Sequence, residues 1–374
     1  MKTQNLQTNL MLKLKSIQNL LFRRKEAILI TSATSGVGIA LLDSLRGRRK
    51  SLYLIGASTD LTAPFTHEFD LFLKSPPTFS KDFPHFIEDL CLRHKVKLVI
   101  TGRDDDLSVL GEFHDNPNSP IVLQSGPGWL VSIFRDKYLA HNWCVERNIE
   151  FAPSVSTDDP HLEEKLNSFI SKSGFPLILK PRRGDGSRGI FVLRDSEDVA
   201  NAISLSDHVI QSFMGTIPSD NLEPDLDFGI PLFWNFPELT QGVIVFVIDS
   251  LNRTGEFFTC LALHSQGIVR NMRTLNDPDL TNLASRILRE LVSVGFHGVC
   301  GFSVMKSKKG VWHTIEINSR FSGGTSSRKL LGFDEVAKTL NLFFPREIVK
   351  PLSKKSLVWN QINRMPRDLT PNTK

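Results

Sequence analysis

The stretch best suited to chemistry is Phe175–Leu193, FPLILKPRRGDGSRGIFVL. An apolar run ends in Lys180, a glycine-rich basic loop follows, and a second apolar run closes the pattern. That order predicts a β-hairpin with a cationic tip rich in backbone N–H groups, suited to closing over a polyphosphate. Gly184, Gly186 and Gly189 let the backbone approach oxygen atoms closely, Ser187 offers a hydroxyl, and Arg182, Arg183 and Arg188 add charge. Because Lys180 precedes the glycines, the loop is not a Walker A motif. Downstream, Ile315–Arg320 reads IEINSR, which sets Glu316, Asn318 and Arg320 on alternate positions of a predicted strand, all facing one way. A carboxylate and an amide oxygen are hard ligands that suit Mg2+, whose remaining positions go to phosphate oxygens and water. Phosphate-covering donors and a metal-binding face together describe a nucleotide–magnesium site.

Elements that would hold these groups can be followed from Ala27 onward. Ala27–Ile30 predicts a strand, Gly36-Val37-Gly38 a tight turn, and Ile39–Leu45 a helix. Ser51–Ile55, Val96–Thr101 and Pro120–Leu123 read as further strands, with a helix at Phe83–His94. This alternation implies a parallel sheet with helices on both faces. SATSGVG invites comparison with a dinucleotide fingerprint, but Leu41 stands where its last glycine belongs and no acid ends the second strand, which argues against a nicotinamide cofactor. Arg135–Asn148 reads as one helix, and Asp158–Ser173 as another with Asp158 or Asp159 as N-cap. Ser196–Ile203 reads as a short helix and His208–Met214 as a strand. Val243–Ile248 with Glu256–Leu263 forms a hairpin, Leu280–Val294 an amphipathic helix, His297–Met305 with Trp312–Asn318 two strands, and Asp334–Phe343 a helix. Residues 216–239 hold prolines, acids and aromatics, and read as a partly ordered insertion packed near the site or as a surface loop.

These motifs resemble the ATP-grasp superfamily, and within it the carbamoyl-phosphate-synthase-like carboxylate–amine ligases. The resemblance spans roughly Ala27 to Phe344 and is specific in KPRRGDGSRG and EINSR. It implies an α/β protein (α+β in the ATP-grasp lobes): an N-terminal Rossmann-like parallel-sheet domain followed by a two-lobed ATP-grasp fold. The implied division is a basic amphipathic extension at 1–26, the Rossmann-like domain at 27–125, the small lobe at 126–210, the large lobe at 211–350 with the insertion 216–239, and a tail at 351–374. Lys180 and Lys137 would lie against the phosphates, with Arg183, Gly186, Ser187, Arg188 and Gly189 closing over them. Gln211, Ser212, Phe213 and Met214 would pass between the lobes, meeting the adenine edge with backbone and sandwiching its ring. Glu316 and Asn318 would hold Mg2+, and Arg320 the transferred phosphoryl. Arg270 would stand near that group too, with His264 competing for the role. The catalytic set is thus Lys180, Arg320 and Arg270. Arg103-Asp104-Asp105-Asp106 ends a predicted strand where ligands of open sheets bind; the family's acidic pair there is usually structural, and substrate contact is the alternative.

Two departures stand out. Ser303 occupies the region where relatives usually carry a first metal carboxylate or glutamine. Gln241 and Val245 stand where the strand entering the large lobe usually carries an acidic start and an inner aspartate; Asp220, Glu223, Asp225, Asp227 and Glu238 of the insertion are candidate replacements. The implied activity is ATP-dependent activation of a carboxylate as an acyl phosphate, then condensation with an amine, with release of ADP and phosphate. An ATP-binding module with weak or no catalysis is the alternative. Bicarbonate chemistry with a biotin or ammonia acceptor is disfavoured, as no biotin-carrier segment or amidotransferase domain is found. The implied small molecules are ATP, Mg2+, a carboxylate and an amine.

At 374 residues the chain suffices for two or three packed domains, and 40% hydrophobic with 23% charged residues is ordinary for a globular protein. No apolar run approaches the ~20 residues needed to cross a bilayer. The net charge of +5 fits an enzyme handling ATP and a carboxylate, and no nucleic-acid-binding motif accompanies it. Cys91, Cys144, Cys260 and Cys300 are widely spaced core candidates, which fits a reducing cytoplasm. The first ~25 residues form a basic amphipathic pattern that reads as a helix docked on protein or a frayed extension, with interfacial membrane attachment as the sharper alternative. A homodimer is implied by the resemblance alone.

Overall fold

The computed structural model of the chain describes residues 25–184, 188–215, 230–231, 238–265, 268–350, 352 and 361–363. Gly186, Ser187, the N-terminal extension, most of the insertion and most of the tail lie outside them.

The N-terminal sheet is parallel, in the order Leu71–Lys74, Leu52–Ser58, Glu26–Thr31, Val96–Thr101. The central strands carry continuous apolar runs because both faces are covered. The SATSGVG segment enters the helix Gly36–Leu45, so its glycines are already helical and form no separate turn. Ser35 caps this helix by accepting the Gly38 N–H, and a Cβ on Gly38 would lie 1.9 Å from the Ala33 carbonyl oxygen. The strand expected at Pro120–Leu123 is reduced to one parallel bridge between Val99 and Leu123. The reason lies in the next residue. The Gln124 side chain accepts from the Thr101 N–H at 3.2 Å and donates to the Thr101 hydroxyl at 2.9 Å, which ends the sheet edge. The chain then leaves, and Ser125–Gly126 pairs with His297 and Gly298 of a different sheet. Gly298 has a φ of +104°, and a Cβ there would sit 1.9 Å from the Gln124 carbonyl oxygen.

Five strands make a second sheet in the order Ile230–Pro231, Phe191–Leu193, Leu177–Pro181, His208–Ser212, Ser154–Ser156, antiparallel throughout. The expected hairpin is therefore present, and residues from the far end of the insertion add an edge strand to it. The helix expected at Arg135–Asn148 is present as Lys137–Glu146, and a further helix, Gly128–Arg135, precedes it. Asp136 separates the two: fully buried and extended, it accepts from the Tyr138 and Leu139 N–H groups and caps the second helix. The next helix starts at Leu162, not Asp158. Asp158 is diverted to the Asp207 N–H, and Asp159 to the His161 N–H and Lys165.

The third sheet runs Trp312–Asn318, His297–Lys306, Glu238–Asp249, Thr254–Ser265, Ile268–Thr274, Gln361–Asn363, with Ser125–Gly126 attached to its second strand. The helix Pro278–Ser293, capped by Asp277 with proline in its first turn, covers one face. Its Leu280, Leu283, Ile287 and Leu291 pack on Ile244, Phe246 and Phe302. Each fully buried side chain of this kind contributes roughly 1.5–3 kcal/mol. On the opposite face, Val245, Val247 and Val299 share a core with Ile28, Leu54 and Leu98 of the N-terminal sheet. Among the described residues no helix is long and apolar enough to cross a membrane.

Candidate active site

Lys180 ends the apolar strand Leu177–Pro181, so the chain delivers its ammonium directly from the sheet core into the cleft. Only 7% of the residue is exposed. Its Nζ donates to Gln211 Oε1 at 2.7 Å, Gln211 Nε2 donates to the Ser154 hydroxyl at 3.1 Å, and Ser154 donates to the Ala152 carbonyl at 2.8 Å. Two strands thus fix the Lys180 side chain. Its pKa is pushed down from 10.5 to about 8, by burial first, with Glu316 opposing and Lys137 reinforcing the shift.

Lys137, also nearly buried, opens the helix Lys137–Glu146. Its backbone N–H donates to the Arg182 carbonyl at 3.0 Å and its ammonium to the Gly184 carbonyl at 3.4 Å. The same ammonium lies 3.4 Å from Glu316 Oε1. Hairpin, capped helix and final strand therefore meet at Lys137.

Glu316 and Asn318 face one way from the strand Trp312–Asn318, both partly exposed between buried Ile315, Ile317 and Ser319. Their register partners are Ser303 and Gly301, so the neighbouring strand adds a hydroxyl and no carboxylate. Among the described residues no three His, Cys, Asp or Glu side chains gather into a metal cluster. One carboxylate and one amide oxygen, with a lysine ammonium already beside the carboxylate, match a cation that takes most of its shell from phosphate and water. Mg2+ fits that donor set.

Arg320 points back toward the N-terminal sheet and is ion-paired with Asp104, while its Nη1 donates to the Phe321 carbonyl at 2.9 Å. Arg183 reaches Asp136 at 3.1 Å and Asp207 at 3.5 Å, beside Arg182, which also pairs with Asp136 at 2.8 Å. Arg188 is exposed next to Gly189, whose φ is +68°. The Ser212 hydroxyl donates to Ser173 at 2.6 Å and its N–H to the Pro153 carbonyl at 2.9 Å. Phe213 and Met214 join an apolar cluster in which Ile178 and Val192 of one lobe meet Met305 and Ile315 of the other. Arg270 is not brought in. It falls at a register shift in a strand four places along the sheet from Glu316, and no ion pair links it to the cluster among the described residues.

Several partnerships that shape this site appear only in the structure, and they give the acids after Arg103 structural roles. The three acids after Arg103 are committed separately: Asp104 to Arg320, Asp105 to Arg135 at 2.6 Å, and buried Asp106 to the hydroxyls of Thr31 and Thr78. Burial pushes the Asp106 carboxyl up despite those bonds. Arg135 also donates to the Gly184 carbonyl at 2.9 Å, the same oxygen that Lys137 meets. It is placed by a close helix contact, since a Cβ on Gly128 would lie 2.2 Å from the Gly111 carbonyl oxygen. The loop after Arg320 is latched by Arg328, whose guanidinium donates to both Glu335 oxygens at 2.6 and 2.7 Å and to the Ser322 hydroxyl at 2.9 Å.

This architecture is the ATP-grasp fold, as the motifs implied. The biotin carboxylase domain dimer of the Hydrogenobacter thermophilus 2-oxoglutarate carboxylase, solved with MgADP, ADP and bicarbonate, superposes with a TM-score of 0.62 at 12% identity, over 86% of this chain and 72% of that one. The ADP complex of N5-carboxyaminoimidazole synthetase from Staphylococcus aureus gives a TM-score of 0.63 at 12% identity, over 88% and 80% of the two chains. In sequence, pyruvate carboxylase of Pichia angusta is 30% identical over 118 residues, which is 31% of this chain and only 10% of that relative. No protein-family profile matches the chain.

Proposed function

We propose that the protein is an ATP-dependent ligase that activates a substrate carboxylate as an acyl phosphate and condenses it with an amine. The observation that carries this reading is the meeting of Lys137, Lys180 and Glu316 between the two lobes, with Glu316 and Lys137 both acting on the buried Lys180. Both of the solved structures described above are ADP complexes, one of them with magnesium.

In this reading the adenine lies in the apolar slot between Ile178 and Met305, beside Phe213 and Met214. The Ser212 N–H is already bonded to Pro153, so the backbone of the next two residues meets the adenine edge. Lys137 and Lys180 hold the phosphates, and Arg183, Arg188 and Gly189 close over them with Gly186 and Ser187. Glu316 and Asn318 would hold Mg2+, which would offset the charge of the phosphates. The substrate carboxylate attacks the γ-phosphorus in line, the bond to the β-bridging oxygen breaks, and ADP leaves. Arg320 carries the transferred phosphoryl, held in place by Asp104. The amine nitrogen then attacks the acyl carbon, the C–O bond to phosphate breaks, and the nitrogen gives up a proton. Arg270 acts here only if its strand is carried toward the cleft. The Rossmann-like domain at 27–125, small lobe at 126–210 and large lobe at 211–350 are part of the same proposal. The four free, buried cysteines fit a reducing cytoplasm.

The test is ADP release over a panel of carboxylate and amine pairs, with mass spectrometry of the condensed product. The expected result is ADP release that requires both partners and disappears in Lys180→Ala. No product and no ADP above background over a broad panel would remove the ligase reading. Ser303 opposite Glu316 motivates the alternative of a binding module. Calorimetry separates the two: nucleotide binding that needs Mg2+ supports the enzyme, and tight binding indifferent to Mg2+ supports the module.

A further inference from the structure

The Gly184 carbonyl marks where the chain leaves the hairpin strand for the glycine-rich loop, and two cations donate to it. Arg135 Nη1 lies 2.9 Å from this oxygen and the Lys137 ammonium 3.4 Å. We propose that Arg135 is a positioning residue for the loop: it fixes the loop's first carbonyl and, through Asp105, ties that point to the N-terminal domain. The inference rests on the ligase reading for what the loop closes over, not for how the loop is placed.

Arg135 is carried by a strut that is held at both ends. It is the last residue of the helix Gly128–Arg135, which packs along the helix Asp104–Asp115. At the start of the strut, the Asp115 carboxylate accepts from the Gly128 N–H at 2.7 Å and the Trp129 N–H at 2.9 Å, the anchoring that a helix N-terminus favours. Gly111 and Gly128 bring the two backbones together there, with no room for a side chain between them. At the far end, Asp105, in the first turn of the same partner helix, accepts from Arg135 Nη2 at 2.6 Å. The Arg135 side chain is only 10% exposed. One guanidinium is therefore divided between two parts of the molecule, Nη2 to the N-terminal domain and Nη1 to the hairpin. Its rigid fork can span both acceptors, which the compact ammonium of a lysine cannot.

The second tie to Gly184 is conditional. Lys137 divides its ammonium between the Gly184 carbonyl and Glu316, at 3.4 Å each, and in the ligase reading the same ammonium serves the phosphates. A nucleotide that draws Lys137 away leaves the Gly184 carbonyl to Arg135. Asp136 meanwhile holds Arg182 and Arg183, just before Gly184. The base of the hairpin thus stays attached without Arg135, and only the loop's point of departure is set free. Contacts from the loop to phosphate depend on that point, because a small misplacement of a binding group is costly. The adenine slot between Ile178 and Met305 does not depend on it.

The test compares the whole chain with Arg135→Met, Arg135→Lys, Asp105→Asn and the double variant Asp105→Asn with Arg135→Met. Melting curves verify folding, and Arg135→Lys, which keeps a charge opposite Asp105, serves if Arg135→Met does not fold. Trypsin is applied without nucleotide, and cuts after Arg183 and Arg188 are timed by mass spectrometry. Calorimetry then measures a non-hydrolysable ATP analogue with Mg2+ against adenosine. The expected result is cutting at least threefold faster in both Arg135 variants, analogue affinity down tenfold or more, adenosine affinity unchanged, and a double variant no worse than Arg135→Met. A purely structural role would be restored by Arg135→Lys and would weaken adenosine along with the analogue. Either outcome overturns the inference, as does cutting at the parent's rate, and additive losses in the double variant overturn the tie through Asp105. Faster cutting in variants of a parent that binds no nucleotide leaves the placement of the loop standing and removes the ligase reading instead.

Discussion

Two buried cations in this molecule sit in opposite circumstances. Arg328 is 2% exposed and saturated, with both Glu335 oxygens and the Ser322 hydroxyl accepting from it, and its pKa stays raised despite full burial. Lys180 is 7% exposed and donates to one neutral amide oxygen, and its pKa is lowered by burial first and by a second lysine, against the opposing charge of Glu316. The first arrangement closes on itself and stabilises a loop. The second leaves positive charge with too few acceptors, a cost that an incoming anion would relieve. Burial alone thus does not separate structural from functional charge; the completeness of its hydrogen bonding does.

The strongest way to break the comparison is Glu335→Gln. It leaves the buried Arg328 guanidinium without its counter-charge and should destabilise folding by about 3–5 kcal/mol. Denaturant unfolding checks this, and a loss below about 1 kcal/mol would show that the latch is not closed as described. Lys180→Met should do the reverse. Removing charge-assisted bonds to phosphate should weaken ATP binding by about 10–100-fold. The melting temperature should hold within a few degrees, because losing a buried charge offsets the Gln211 acceptor left alone. A large fall in stability would place Lys180 with Arg328.

The pH dependence sharpens the same point. Below about 8, Lys180 is protonated in both folded and unfolded chains, and the folded state bears the cost of burying the charge. That cost fades as pH rises from about 8 to 10.5, so the parent should gain on the order of 1–3 kcal/mol over this window relative to Lys180→Met. Parallel unfolding curves for the two proteins would contradict it. Glu316→Gln should give the smallest effect, about a tenfold loss of Mg2+-dependent nucleotide affinity with Mg2+-free binding unchanged, read by calorimetry.

Much of this was legible in the sequence, for a physical reason. The hairpin and the IEINSR strand are local patterns, in which period-two alternation and a lysine-then-glycine order carry their own meaning. Lys180, Glu316 and Asn318 stand out that way, Lys137 only through the resemblance, and the structure brings Lys137, Lys180 and Glu316 into one cluster. What stayed hidden depends on partners distant in sequence. Asp136 looks like an ordinary helix residue until Arg182 and Arg183 arrive. Pro120–Leu123 has the composition of a strand, yet Gln124 turns the chain away by binding Thr101. Arg320 reads as a free phosphate ligand, and only folding places Asp104 against it. Arg270 is placed by the resemblance, with His264 as its competitor, and its strand lies four places along the sheet from the one bearing Glu316.

The short pairing of Ser125–Gly126 with His297 and Gly298 has a mechanical consequence. It welds the N-terminal sheet to the large sheet, and the two also share packing through Ile28, Leu54, Val245 and Val247. The sheet bearing Lys180 has a core of its own, built from residues between Val155 and Ile210, and shares a smaller cluster with the large sheet through Ile178, Val192, Met305 and Ile315. If the molecule works as a vice, the lysine-bearing jaw should be the one to move, and its amides should exchange with deuterium as a unit, ahead of the welded remainder.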